Sequence, residues 1–88
     1  MNTSLARQAD PVRAVGARFD GDRLVVLLGD GRELAIPYTK VPWLKWLVTA
    51  PPEQRAAWLL EPGGFAIYWP QLDDGFEICH LLAAENLA

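Results

Sequence analysis

One cysteine (Cys79), one histidine (His80) and one serine (Ser4) stand among the 88 residues. A single cysteine excludes an internal disulfide, so the chain must fold by packing alone. That usage suits a reducing compartment, and a cytoplasmic location is expected. One histidine and one cysteine fall short of the three or four ligands a metal site needs, so no metal or other cofactor is expected. The lone serine lies in the opening stretch MNTSLARQAD, outside any nucleophile elbow. That stretch lacks the apolar centre of a secretory signal and reads as a loose tail over residues 1–11, ahead of a single domain over 12–88. No run of about 18 apolar residues occurs, which excludes a membrane-spanning helix. Positive charge is also scarce. Eight Lys and Arg stand against eleven Asp and Glu, a net charge of −3. The basic residues are scattered, which opposes direct nucleic-acid binding by this chain, because phosphate contacts need clustered cations. A basic protein partner fits the charge better.

Apolar residues, by contrast, make up 51% of the chain and include four tryptophans, enough to leave apolar surface uncovered on a lone small domain. Their pattern predicts an α+β fold that starts with a three-stranded antiparallel meander. Val12 to Phe19 alternates and runs into an Asp20-Gly21 turn. Arg23 to Leu28 is a second strand with a β-branched pair. Gly29-Asp30-Gly31 supplies the positive φ of a tight turn, and Glu33 to Ile36 is a third strand stopped by Pro37. Pro42 then suits a helix start, with WLKWLV over Trp43 to Val48 continuing it. Trp43, Trp46 and Leu47 fall on one face, Leu44 and Val48 on a neighbouring one. A helix apolar nearly all round is buried on both sides or meets a partner. Pro52 opens a second helix, PEQRAAWLL, with Glu53 early where the helix dipole favours acid. After the Glu61-Pro62-Gly63-Gly64 stop, Phe65 to Trp69 alternates as a strand. Phe76 to Cys79 reads as a short strand or as the entry to a final helical turn at His80 to Ala84.

The residues with reactive side chains crowd into GFAIYWPQLDDGFEICHLL, residues 64–82. Asp73 and Asp74 are adjacent, and with Gly75 they read as a turn rather than a catalytic pair, which needs a defined separation. On a strand, Cys79 and His80 would face opposite ways and could not form a nucleophile–base pair. A buried Cys79 and a surface His80 are expected instead. GDGR and EPGG lack the sequence context of a phosphate loop. No set of residues supplies both a nucleophile and a positioned base, so an enzyme is not expected. Trp58 and Trp69 read as core. Trp43 and Trp46 are candidates for interface anchors.

The order DGR-x-L-x-x-P (Asp30 to Pro37), a Pro-led helix, E-x-R-x-x-W (Glu53 to Trp58), G-x-x-I-x-W-P-x-L-D (Gly64 to Asp73) and a closing Leu-Leu resembles the bacterial domain-of-unknown-function family 2442, over nearly the whole folded chain. The resemblance implies a small α+β fold with an antiparallel sheet. Some relatives carry an added helix-turn-helix, and some lie beside small genes suspected to be toxins. That implies an antitoxin-like or regulatory partner role without an established activity. Four departures stand out. Tyr68 replaces the family's usual His before the Trp, and Gly75 its usual last acid. Trp43 takes a position that is often basic, and about one helical turn is added around Lys45 to Val48.

The expectation is therefore a non-enzymatic protein-binding module. Trp43 and Trp46 would form its apolar anchor, with Asp73, Asp74 and Glu77 as acidic contacts. Its partner would be a basic toxin-like or regulatory protein, or a second copy of the chain through the same helix or a sheet edge. Two alternatives stay open: a DNA-associated transcriptional regulator acting with a basic partner, and a phage or mobile-element accessory protein that inhibits a host enzyme.

Overall fold

The computed structural model describes residues 12–87, with side chains over 12–83. The expected tail at 1–11 lies outside the described residues. Two three-stranded antiparallel sheets share one core. In the first, β1 (Ala14–Asp20), β2 (Arg23–Leu28) and β3 (Glu33–Pro37) form the expected meander, with β2 in the middle. Asp20 pairs with Arg23, so Gly21 and Asp22 form the turn. Gly21 takes φ 61°, a region that costs glycine nothing and other residues roughly 1–2 kcal/mol. A register shift between Ala14 and Gly16 lets Ala14 face inward with Leu28 while Val15 stands 62% exposed.

At the second turn, Asp30 accepts the backbone N–H of Arg32 at 3.0 Å on one carboxylate oxygen. Its other oxygen accepts from the Arg32 guanidinium at 2.9 Å. The backbone bond, helped by the guanidinium, holds the Asp30 carboxyl below its ordinary pKa. The DGR motif is thus a self-contained turn.

The middle of the chain is less helical than its periodicity predicts. Two 3₁₀ turns, Tyr38–Lys40 and Pro42–Leu44, precede a single helical turn, α1 (Lys45–Val48). Leu44 and Leu47 are fully buried. The second helix, expected over Pro52 to Leu60, ends at Arg55 as α2 (Pro52–Arg55). The correction has a simple cause: Leu59 and Leu60 are drawn into a short strand, β4, that pairs with Tyr68 and Ile67. Tertiary strand pairing outweighs a weak local helical preference.

Around β4 the second sheet forms in the order β4, β5 (Ala66–Trp69), β6 (Asp74–Glu77). Helix α3 (Ile78–Leu87) then closes the core against β3 and β6. Ile78 and Leu81 on α3, Ile67 and Trp69 on β5, and Leu24 and Val26 on β2 are fully buried. Each such side chain is worth roughly 1.5–3 kcal/mol of burial. No helix among the described residues is long and apolar enough to cross a membrane.

Candidate functional site

The surface to be judged is built on β5, β6 and the turn between them. Alternation along β5 sends Ile67 and Trp69 into the core and leaves Ala66 and Tyr68 on the outer face. On β6, Phe76 faces the core opposite Ile67, while Gly75 and Glu77 lie opposite Tyr68 and Ala66. Glu61, Ala66, Tyr68, Gly75, Glu77 and His80 line a shallow, open trough on this outer face.

The turn is set by Asp73, whose φ of 51° makes it the one residue other than glycine with positive φ among those described. Aspartate tolerates this region better than most residues. Its carboxylate accepts the Tyr68 hydroxyl at 2.7 Å. That bond to a negative acceptor raises the Tyr68 pKa above its usual value of 10.0. Asp74 accepts the backbone N–H of Gly75 at 2.8 Å. Gly75 itself has a steric reason to be glycine. A Cβ there would collide with the Ile67 carbonyl oxygen and stand 3.0 Å from the Tyr68 Cα. The two departures at Tyr68 and Gly75 therefore sit directly opposite each other across β5 and β6.

The tryptophans divide. Trp69 is fully buried, as expected, with its indole N–H donating to the Arg55 carbonyl at 2.8 Å. Trp58 is only half-buried and lines a second concavity with Arg18, Phe19 and Arg55. Trp46 is half-buried, edge-on to Trp69 with ring centroids 5.3 Å apart, and donates to the Trp43 carbonyl. Trp43 is 40% exposed and meets Phe76 of β6 edge-on at 5.8 Å. β6 is an edge strand of its sheet. Trp43 thus flanks it on the core side, while Asp73 and Glu77 are exposed around the outer side and Asp74 is half-exposed.

Cys79 departs from the sequence reading. It is exposed, not buried, because β6 ends at Glu77 and Ile78 opens α3. Ile78 takes the buried position, and Cys79 and His80 follow on the solvent side of the first turn. Glu77 gathers them. The Cys79 thiol donates to Glu77 Oε1 at 3.7 Å, and His80 Nε2 lies 3.9 Å from the same oxygen. The signal available in the sequence was helical: one turn brings i and i+3 together, whereas a strand separates neighbours.

Fold and surface together define a small α+β domain built of two antiparallel meanders, in which no catalytic motif is evident among the described residues. The chain belongs to the DUF2442 family, described as proteins of unknown function, whose model matches residues 14–86. Among solved structures, it is similar to a protein of unknown function from Rhodospirillum rubrum, with 27% identity and a TM-score of 0.72 over 85% of this chain and 89% of that one. It is also similar in fold to an uncharacterized protein from Chromobacterium violaceum, with 20% identity and a TM-score of 0.69 over 93% of this chain and 72% of that one. No curated protein matches it.

Proposed function

We propose that this protein is a non-enzymatic binding module for a basic protein, acting as an antitoxin-like or regulatory partner. The observation that carries the reading is the setting of Trp43. A large aromatic ring stays 40% exposed beside an edge strand, although Leu44 and Leu47 of the same segment are fully buried. Tryptophan is favoured as an interface anchor because it offers a large rigid apolar area, and acids at the rim select a cationic partner. Asp74 shares the face of β6 on which Trp43 meets Phe76, and Asp73 and Glu77 add negative charge on the strand's other side. Trp46 supports Trp43 from beneath through its indole bond to the Trp43 carbonyl.

The test is affinity purification of the full chain from its native cell, run beside Trp43→Asp and the triple change Asp73→Lys, Asp74→Lys, Glu77→Lys. A basic protein held by the parent chain and lost from both variants supports the reading. Equal recovery by all three, with folding verified by circular dichroism, contradicts it.

A further inference from the structure

We propose that Glu77, Cys79 and His80 form a binding site for a borderline-soft divalent transition-metal ion of the Zn²⁺ type. Each residue offers one ligand atom of a different kind, a carboxylate oxygen, a thiol sulfur and an imidazole nitrogen, and these three atoms all lie within 4.8 Å of one another. Around a tetrahedral Zn²⁺, such atoms stand about 3.3–3.6 Å apart, given metal–ligand bonds of about 2.0–2.3 Å. The carboxylate-to-sulfur and carboxylate-to-imidazole separations of 3.7 and 3.9 Å are already close to that spacing. All three side chains are exposed, so none is locked in place by core packing.

The donor set decides the ion. Thiolate and imidazole favour Zn²⁺ and its neighbours over the hard cations Mg²⁺ and Ca²⁺, which take oxygen ligands. Binding displaces the thiol proton to solvent, so the ion meets a thiolate, a neutral imidazole and a carboxylate. Three protein ligands leave at least one position open, and two of them, Glu77 and His80, also line the trough with Glu61 and Tyr68. The backbone fixes two of the ligands. Cys79 and His80 sit on the first turn of a ten-residue helix, directly after the strand that carries Glu77.

The experiment titrates the reduced full-length chain with Co²⁺, and then with Zn²⁺ against a chromophoric chelator, at neutral pH. One ion per chain is expected, with a near-ultraviolet thiolate-to-cobalt charge-transfer band. Cys79→Ser should abolish the band. His80→Ala and Glu77→Gln should each weaken Zn²⁺ binding by about ten-fold or more, since even supporting residues of metal sites act on that scale. Circular dichroism should show all three variants folded, because none of these side chains is buried. The proposal is overturned if the parent chain binds neither ion or shows no thiolate band. It is equally overturned if His80→Ala and Glu77→Gln bind as tightly as the parent, which would mean a lone reactive thiol. The titration needs no protein partner, so its failure leaves the binding-module reading standing.

Discussion

The indole N–H of Trp69 donates to the backbone carbonyl of Arg55 at 2.8 Å, and this bond ties the buried centre of the second sheet to the end of α2. The Arg55 side chain reaches the other way. Its guanidinium donates to the carbonyls of Leu47 and Ala50 at 3.3 and 3.0 Å, satisfying the open end of α1. It also lies 5.9 Å from the ring centroids of both Phe19 and Tyr38. Two signature positions, the Arg of E-x-R-x-x-W and the Trp of W-P-x-L-D, thus join three segments of the core. Arg55→Ala is expected to destabilise the protein by about 2–4 kcal/mol through the lost charged hydrogen bonds and stacking. Arg55→Lys should recover only part: both carbonyl bonds come from one terminal nitrogen, which an ammonium can imitate, but the planar guanidinium lying over the Phe19 and Tyr38 rings is lost. Urea unfolding followed by tryptophan fluorescence measures both.

Tyr68 and Asp73 form a second test. The phenol's proton sits in a bond to a carboxylate, so its loss would set two negative charges side by side. The folded pKa is raised, so the stabilisation is fully present below the unfolded value of 10.0 and is lost as pH rises through the folded pKa. Phenolate absorbance in a Tyr38→Phe background should show Tyr68 titrating above 10.0, and Asp73→Asn should bring it down towards that value. Identical titration curves with and without Asp73 would contradict the bond.

Gly75 tests the packing of β5 on β6. Gly75→Ala is expected to cost about 1–3 kcal/mol, the usual scale of overpacking, because the new methyl meets backbone that cannot rotate away. Gly21→Ala makes the contrast. Nothing lies within 4 Å of a Cβ there, so only the strain of its positive φ remains. Chemical denaturation of the two variants should show a loss for both and a shift in the NMR signals of Tyr68 and Ile67 for Gly75→Ala alone.

The two neighbouring tryptophans should separate sharply. Trp43→Ala removes an exposed ring with one edge-on aromatic contact and is expected to cost about 1 kcal/mol. Trp46→Ala removes a half-buried ring that packs against fully buried Trp69, and about 2–4 kcal/mol is expected, towards the range of buried aromatic truncations. Thermal unfolding of both variants compares them directly. A larger loss for Trp43 would make it a core residue and remove its role as an anchor.

The meander was legible because alternation and glycine turns act locally. Arg23 to Leu28 matches β2 residue for residue, and the other two strands differ only at their ends. Trp69 was legible as core because its strand alternates cleanly. The second helix was not, since the partner that captures Leu59 and Leu60 lies at Ile67 and Tyr68, across a turn whose geometry no periodicity encodes. At Cys79 the failure was one of phase. A run as short as Phe76 to Cys79 fits both strand and helix. Only the boundary at Ile78 decides that the thiol and imidazole project together from one turn rather than to opposite faces. The Tyr68–Asp73 bond was hidden for the same reason, because it depends on a positive φ at Asp73 that its sequence neighbours do not require.

The central claim is that Trp43 is kept at the surface for a partner rather than for the fold. Quantitative mass spectrometry of material co-purifying with the parent chain and with Trp43→Asp, at matched and verified folding, tests it most directly. The account predicts a basic protein bound in a salt-sensitive manner by the parent and absent from Trp43→Asp. The same proteins recovered at the same level with both chains would contradict it.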